Sequence, residues 1–253
     1  MKKSVFITGA SSGTGFAIAK KFAIEGYDVF ITSRKLQEAE QAAKKIAQQY
    51  NVTAVGYELG AGNEQKVKDV FADIRQRGYL IDTLVLNAAN LGIGMDIFNV
   101  ELADFMNVFE VNIGWNFTMC REAALQMKEK HKGSIVFIGS NTSYRAIKGR
   151  SAYCASKGGM VSLAKALAVD LGAYGIRVNC VLPGMIKTER WINSEELKKV
   201  PSNNTPIGDI AEFEDVANGV WYFGSDESRN TTGVELIIDG GMSAQLFPDS
   251  TNV

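Results

Sequence analysis

The sequence predicts an α/β protein with a doubly wound fold, in which a seven-stranded parallel sheet carries helices on both faces. Short apolar runs rich in β-branched residues alternate with longer amphipathic runs. Several short runs, such as residues 135–138, are continuously apolar, as strands buried on both faces are. The strict alternation of strand and helix implies crossover connections, and these place the strands parallel.

Each element follows from its own stretch of sequence. The strands are predicted from the short apolar runs, and they cover residues 4–8, 28–32, 53–57, 83–86, 134–138, 177–181 and 235–238. The helices are predicted from apolar residues at helical spacing, and they cover residues 15–25, 37–50, 64–78, 101–130, 151–174 and 214–225. Gly26, Gly78, Gly133 and Gly175 follow four of these helical runs, and glycine favours a left-handed helix end.

Composition excludes several classes of function. The net charge of −1 provides no basic stripe, so we expect no nucleic-acid partner. No apolar run approaches the ~18 residues of a membrane span, so we expect a cytoplasmic protein with no membrane partner. His131 is the only histidine, and the three cysteines are far apart. A metal site and a Ser-His-Asp hydrolase are therefore both disfavoured.

A glycine-rich turn follows the first strand and opens the first helix. Glycines at this position permit a tight bend and let the backbone approach a pyrophosphate closely. The helix N-terminus adds free N–H groups and a positive dipole. The context therefore predicts a dinucleotide site, and the turn contributes Gly9, Ser11, Ser12, Gly13, Thr14 and Gly15.

The end of the second strand bears on which nicotinamide cofactor is bound. NAD enzymes usually place an acid there for the ribose 2′-hydroxyl, whereas this strand ends in Ser33 and Arg34. An arginine can bind a 2′-phosphate through two hydrogen bonds, and the serine can add a hydroxyl. We therefore predict that NADP(H) is preferred over NAD(H).

Four residues form the candidate catalytic set. Tyr153 and Lys157 are four positions apart near the start of a predicted helix, so they project from the same face. A nearby ammonium favours the phenolate, so the pair can exchange a proton with a carbinol oxygen. Ser140 ends the fifth strand, at the sheet edge where ligands bind. Asn112 interrupts an otherwise apolar helix and needs a partner there, such as a backbone carbonyl or water.

The ordered set of motifs resembles the short-chain dehydrogenase/reductase family in its single-domain form, over residues 4–242. The matching residues are Thr8, Gly9, Gly13, Gly15, Asn112, Ser140, Tyr153, Lys157, Pro183, Gly184, Thr188, Asp239, Gly240 and Gly241. The resemblance implies a Rossmann fold and direct hydride transfer between the nicotinamide and a carbinol carbon, with no metal. It implies one dinucleotide-binding and catalytic domain over residues 1–253. Residues 184–210 are the least patterned stretch of the sequence, and a stretch of this length in a compact domain is usually a functional lid or disordered, so we predict a substrate lid there.

The resemblance also implies roles for individual residues. Tyr153 is the general acid/base, Lys157 lowers its pKa and holds the ribose, Ser140 polarises the carbonyl, and Asn112 holds a relay water. Further cofactor contacts are implied at Glu58, Leu59, Asn87, Ala88, Pro183, Gly184, Ile186 and Thr188. The family's usual Asn-Asn-Ala-Gly segment reads Leu-Asn-Ala-Ala at residues 86–89, and a common Arg and Pro are replaced by Asp209 and Phe213.

The substrate is predicted to be a small molecule with an apolar body. The lid carries Met185, Ile186, Trp191, Ile192 and Leu197, and Met95 and Tyr144 come from segments that should also border the site. Hydrophobic ketones, including steroid-like or bile-acid-like ones, 3-oxoacyl thioesters, and sugars or polyols remain open. A non-catalytic dinucleotide sensor, an enoyl reductase and a nucleotide-sugar epimerase are alternatives of other classes. Relatives are mostly homotetramers or homodimers built through the two long helices.

Overall fold

The computed structural model describes residues 2–195 and 204–246, and this part of the chain contains one parallel seven-stranded sheet. Its strands are β1 Ser4–Ile7, β2 Asp28–Ser33, β3 Ala54–Glu58, β4 Thr83–Leu86, β5 Gly133–Ile138, β6 Ile176–Pro183 and β7 Glu235–Ile238. Its helices are α1 Gly13–Ile24, α2 Leu36–Tyr50, α3 Glu64–Gln76, α4 Leu102–Phe109, α5 Trp115–Lys130, α6 Ser151–Gly172, α7 Glu189–Ile192 and α8 Phe213–Gly224.

The strands run in the order β3-β2-β1-β4-β5-β6-β7, and every pair is parallel. The chain begins at β1, builds outward to β3, and then crosses to β4 on the other side of β1. This reversal between β1 and β4 opens a crevice at the strand carboxyl ends, where ligands bind in such sheets.

Two apolar layers cover the sheet. On one face Val5 and Ile7 pack with residues of α1, α2 and α8, and Phe22 is fully buried there. On the other face Phe6 and Phe137 pack with residues of α3, α5 and α6. Because alternate residues of a strand point to opposite faces, both sides of β1 are buried. The predicted doubly wound fold is confirmed.

The predicted continuous helix over residues 101–130 is wrong in one respect. A π-helical turn, Glu110–Gly114, separates α4 from α5. Such a turn inserts one extra residue and releases backbone groups from the usual helical ladder. Here the Asn112 carbonyl accepts a hydrogen bond from Asn116 Nδ2 at 2.9 Å, and both side chains are fully buried.

Smaller differences lie at the element ends. β1 stops at Ile7, one residue early, and β6 continues through Pro183. The lid prediction covers α7, and a backbone bridge joins Ile186 to Ala211. Leu197 lies outside the described residues. None of the described helices is long and apolar enough to cross a membrane.

Candidate active site

The glycine turn between β1 and α1 forms an open cradle of backbone N–H groups. Gly9 and Gly13 have φ angles of +62° and +56°, which side chains rarely adopt. Gly15 is closed to any side chain because a Cβ there would lie 2.5 Å from the Gly9 oxygen. Ser12 is the N-cap residue of α1, and its side chain makes no capping hydrogen bond to the first turn. The N–H groups of Gly13, Thr14 and Gly15 are thus suited to a diphosphate.

Asn87 and Thr8 hold this turn against the end of β4. Asn87 Nδ2 donates to the backbone oxygens of Thr8 and Gly9 at 3.0 and 2.9 Å. The N–H groups of Asn87 and Ala88 both donate to Thr8 Oγ1 at 3.0 Å. These bonds fix the floor of the cleft on either side of β1, and Asn87 and Ala88 line it.

A cleft of about 780 Å³ runs from the turn past the end of β2. Ser11, Ser33, Arg34 and Leu59 line it, as the sequence predicts for the ribose and adenine. Glu58 does not line the cleft. Its side chain is half exposed and pairs with Lys66 at 2.9 Å, whereas the neighbouring Leu59 lines the cleft.

Glu38 is an acid in this cleft that the sequence interpretation missed. Its carboxylate accepts a hydrogen bond from Ser33 Oγ at 2.9 Å and pairs with Lys35 at 3.0 Å. Glu38 lies in the first turn of α2 rather than at the end of β2. The chain reverses direction between the strand and the helix, and this places Glu38 in the same cleft as Arg34. The Ser33 hydroxyl therefore already has an acceptor, and Arg34 is the stronger candidate for a 2′-phosphate.

Tyr153 and Ser140 meet at the edge of a second cavity. Burial raises the pKa of the Tyr153 phenol, while hydrogen bonding with Ser140 and the charge of Arg150 act in the opposite direction. The net pKa lies above its ordinary value. Burial therefore outweighs the groups that lower this pKa, and the predicted lowering by Lys157 stays a prediction.

Lys157 is buried beside this pair. Its Nζ donates to the Ile138 carbonyl at 2.6 Å and lies 5.6 Å from the centre of the Tyr153 ring. Burial lowers the pKa of this ammonium to about 8, so it loses its charge mainly above pH 8 rather than above pH 10. One N–H is used by Ile138, which leaves two for a ribose hydroxyl or the phenol.

Asn112 joins three segments of the site. Its Oδ1 accepts from the Asn90 N–H at 2.8 Å, and its Nδ2 donates to the Asn90 carbonyl and to Ser156 Oγ, both at 2.9 Å. Ser156 Oγ in turn donates to the Tyr153 carbonyl at 2.8 Å. Since both N–H groups of Nδ2 bond to protein groups, Asn112 can bind a relay water only as an acceptor, through a second lone pair of Oδ1 or of its backbone carbonyl.

The second cavity, of about 550 Å³, lies between the catalytic candidates and the lid. Gly184, Ile186 and Thr188 line it after Pro183 ends β6, as do the lid residues Met185 and Trp191. Gly184 is closed to side chains because a Cβ would lie 2.5 Å from Asp239 Cβ. Thr188 Oγ1 caps α7 by accepting from the Trp191 N–H at 3.3 Å.

Three predicted pocket residues lie elsewhere. Tyr144 is more than half exposed, and its hydroxyl bonds to Glu235 on β7. Ile192 is also more than half exposed, and neither it nor Met95 lines the cavity. Conversely, Arg145 and Arg150 line the cavity and were not predicted. The sequence feature that could have predicted them is their position between Ser140 and Tyr153, because that segment connects two catalytic candidates.

Comparisons with known proteins agree with this geometry. A family model described as Enoyl-(Acyl carrier protein) reductase matches residues 9–243. The chain is 33% identical over 245 residues to the 3-oxoacyl-[acyl-carrier-protein] reductase FabG of Buchnera aphidicola, covering 95% of this chain and 97% of that one. It is 34% identical to the NADP-dependent (R)-specific alcohol dehydrogenase of Lentilactobacillus kefiri, covering 96% and 97%.

A solved structure is similar over the same extent. The acetoin dehydrogenase YohF of Salmonella typhimurium matches with a TM-score of 0.86 at 28% identity, covering 96% of this chain and 98% of that chain.

Proposed function

The chain belongs to the short-chain dehydrogenase/reductase family, whose oxidoreductases act on CH–OH and C=O groups, and we propose that it is an NADP(H)-dependent reductase of ketones. The observation that carries the proposal is that Tyr153 and Ser140 meet at the edge of one cavity, with Lys157 buried behind the Tyr153 ring. That cavity continues to the loop after β6, where a nicotinamide would be held.

Different residues would bind different parts of the cofactor. The first turn of α1 would hold the diphosphate, Arg34 the 2′-phosphate, and Lys157 the nicotinamide ribose. Ile186 and Thr188 would hold the carboxamide. When bound, the nicotinamide supplies or accepts a hydride at the carbinol carbon.

The chain's own residues handle the oxygen and its proton. Ser140 Oγ hydrogen-bonds the carbonyl oxygen and orients it. Tyr153 gives its phenolic proton to that oxygen as negative charge develops. Lys157 lies near enough to favour the phenolate left behind. Asn112 positions this set by tying the loop at Asn90 to Ser156 on α6.

The raised pKa of Tyr153 favours reduction over oxidation near neutral pH. A general acid must carry its proton before the reaction, and burial keeps the phenol protonated. Alcohol oxidation needs the phenolate instead. We therefore expect oxidation to rise with pH over a range in which reduction still proceeds.

The proposed substrate is a small ketone or secondary alcohol. Met185, Ile186 and Trp191 give the cavity one apolar wall, which supports a substrate with an apolar portion. A 3-oxoacyl thioester is a second candidate, since relatives that are one-third identical are named for that reaction. Positions 125, 126 and 174 are Leu, Gln and Tyr rather than arginine, and Gln126 is buried, although Arg121 and Lys128 line the groove beside Leu125 and Tyr174.

Replacement of the general acid tests the proposal. Tyr153→Phe removes the proton donor and keeps the ring, so kcat for reduction with NADPH should fall by about 100- to 10,000-fold. Tyr144→Phe is the matched control, because that hydroxyl bonds to Glu235 outside the cavity. NADPH oxidation is followed with a panel of ketones, thioesters and ketoses. Tight NADPH binding with no turnover of any carbonyl by the unaltered protein would favour a sensor.

Cofactor choice has its own test. Arg34→Gln should lower kcat/KM for NADPH by about 10- to 100-fold, because a charge-assisted contact to the 2′-phosphate is lost. Glu38→Gln should raise the preference for NADPH over NADH by about 2- to 5-fold, because an exposed negative charge beside that phosphate is removed.

Glu40→Gln is the control for this pair, since Glu40 is exposed on the same helix but does not line the cleft. Equal or better use of NADH by the unaltered protein would contradict the assignment of Arg34.

A further inference from the structure

The substrate cavity has an unbalanced charge. Of the described residues that line it, Arg145 and Arg150 are ionised at neutral pH, and none is a carboxylate. Both arginines lie on the segment that joins Ser140 to Tyr153, close in the chain to the residues that would hold the reacting carbonyl. Two like charges beside one small cavity repel each other unless an anion lies between them.

Neither guanidinium is neutralised within the described part of the chain. Arg150 Nη1 donates to the Leu91 carbonyl at 3.0 Å, and Arg145 Nη1 donates to the Met242 carbonyl. Each guanidinium has five N–H donors, so most of them remain for another acceptor. By contrast, Arg75 and Arg121 each pair with a glutamate on the protein surface.

Two neutral groups in the same cavity wall also have no partner among the described residues. Thr142 Oγ1 and Trp191 Nε1 are both buried, and neither forms a hydrogen bond. The indole N–H can only donate, and a buried donor without an acceptor is costly. The cofactor phosphates do not account for these groups, since they belong at α1 and Arg34, and the carboxamide is assigned to Ile186 and Thr188 in the same cavity wall.

We propose that the substrate is a ketone or secondary alcohol bearing an anionic group, a carboxylate or a phosphate, that Arg145 and Arg150 bind. The apolar portion of the substrate lies against Met185, Ile186 and Trp191. This inference rests on the proposed ketone reduction and narrows it, because neutral ketones, including neutral steroids, would leave both arginines without a counter-charge. Arginine is suited to the task because its planar fork matches carboxylate and phosphate oxygens.

Matched substrate pairs test the inference. Oxo acids are compared with their methyl esters, and phosphorylated hydroxyketones with the free hydroxyketones, at saturating NADPH. We expect kcat/KM for at least one anionic member to exceed that of its neutral partner by about 10- to 100-fold, mainly through KM. The pair that shows this ratio identifies the anion as carboxylate or phosphate.

Variants then locate the effect. Arg145→Gln and Arg150→Gln should each reduce that ratio by about 10-fold or more, and the corresponding lysine variants should recover part of it. Lys148→Gln removes the same charge from the same segment, but that exposed side chain does not line the cavity, so the ratio should stay within about 2-fold.

The inference is overturned if every neutral substrate has a kcat/KM as high as that of its anionic partner. It is also overturned if the ratio of the two kcat/KM values is unchanged in both arginine variants. Either result leaves the proposed ketone reduction standing. Absence of any carbonyl turnover by the unaltered protein would instead reject the proposed function. In that case calorimetry of hydroxy acids and phosphate esters with the NADPH complex decides the anion site, and no binding by any of them rejects it as well.

Discussion

At the scale of single residues, the most unusual group is a lysine buried without a carboxylate. Lys157 is 2% exposed, and its described hydrogen bonds are to the Ile138 carbonyl and, weakly, to the Met160 sulfur. Burial lowers the pKa of its ammonium from 10.5 to about 8. A ribose hydroxyl accepts a hydrogen bond best from the charged form, and the cofactor phosphates favour that form too.

Cofactor binding should therefore take up a proton above pH 8. We expect the Kd for NADPH, measured by its fluorescence, to rise with pH above about 8, approaching 10-fold per unit where Lys157 is neutral in the free protein and charged in the complex. Lys157→Met should bind more weakly and lose this dependence. A Kd that is constant between pH 7 and 10 in the unaltered protein would contradict the assignment.

The lowered pKa of Lys157 also makes the stability of the cofactor-free protein depend on pH. The folded pKa is below the unfolded one, so between about pH 8 and 10.5 the unfolded chain binds more protons at this group. Lys157 thus contributes a free energy of unfolding that rises with pH through that window. Comparison of thermal midpoints with Lys157→Met isolates this contribution from those of other titrating groups.

The roles of residues at motif positions could be predicted from the sequence. The positions of charged side chains that reach the site only because the chain turns could not. Tyr153 and Lys157 could be paired because helical spacing alone places them on one face. Glu38 could not be placed, because its contact with Ser33 depends on how the chain turns into α2. The pKa of Tyr153 was also out of reach, since burial of the phenol outweighs the charges near it.

At the scale of elements, apolar patterning predicted every strand of the described sheet and failed inside one long helix. Residues 101–130 keep a helical pattern throughout, and a π-helical turn changes the direction of side chains by a single inserted residue. That turn is what buries Asn112 against Asn90 and Ser156. A buried asparagine in the middle of an apolar helix was the only signal, and it indicated a special partner without indicating the backbone change.

The order of the strands explains why the position of the site could be predicted from the sequence. The carboxyl ends of β1, β2, β4, β5 and β6 lie at one edge of a parallel sheet, so residues that follow them must converge. Lid geometry has no such constraint, because a short helix such as α7 packs according to tertiary contacts. Ile192 is accordingly more than half exposed and does not line the cavity that it was predicted to border.

At the scale of the whole molecule, the outer face of α5 and α6 is more apolar than a solvent-facing surface needs to be. A groove of about 280 Å³ between these helices is lined by Phe117, Leu125, Leu167 and Leu171 among others. Leu125 is 57% exposed and Phe117 is 45% exposed. Contiguous exposed apolar surface of this kind usually marks a contact with another protein. The occupant that we expect is a second copy of this chain, packing the same two helices about a two-fold axis.

A charge placed in that groove should separate the subunits. Leu125→Glu would replace an apolar side chain at the contact by a carboxylate that must lose water there, so the subunit dissociation constant should rise by about 30-fold or more. Light scattering after size exclusion, over a range of protein concentrations, measures this. Ile24→Glu is the matched control, because Ile24 is similarly exposed, at 59%, but lies on α1 away from the groove. A monomeric unaltered protein, or an equal effect of both variants, would show that α5 and α6 do not form the contact.

Because α6 also carries Tyr153 and Lys157, dissociation should reduce ketone turnover in Leu125→Glu alone, which links assembly to the geometry of the catalytic helix.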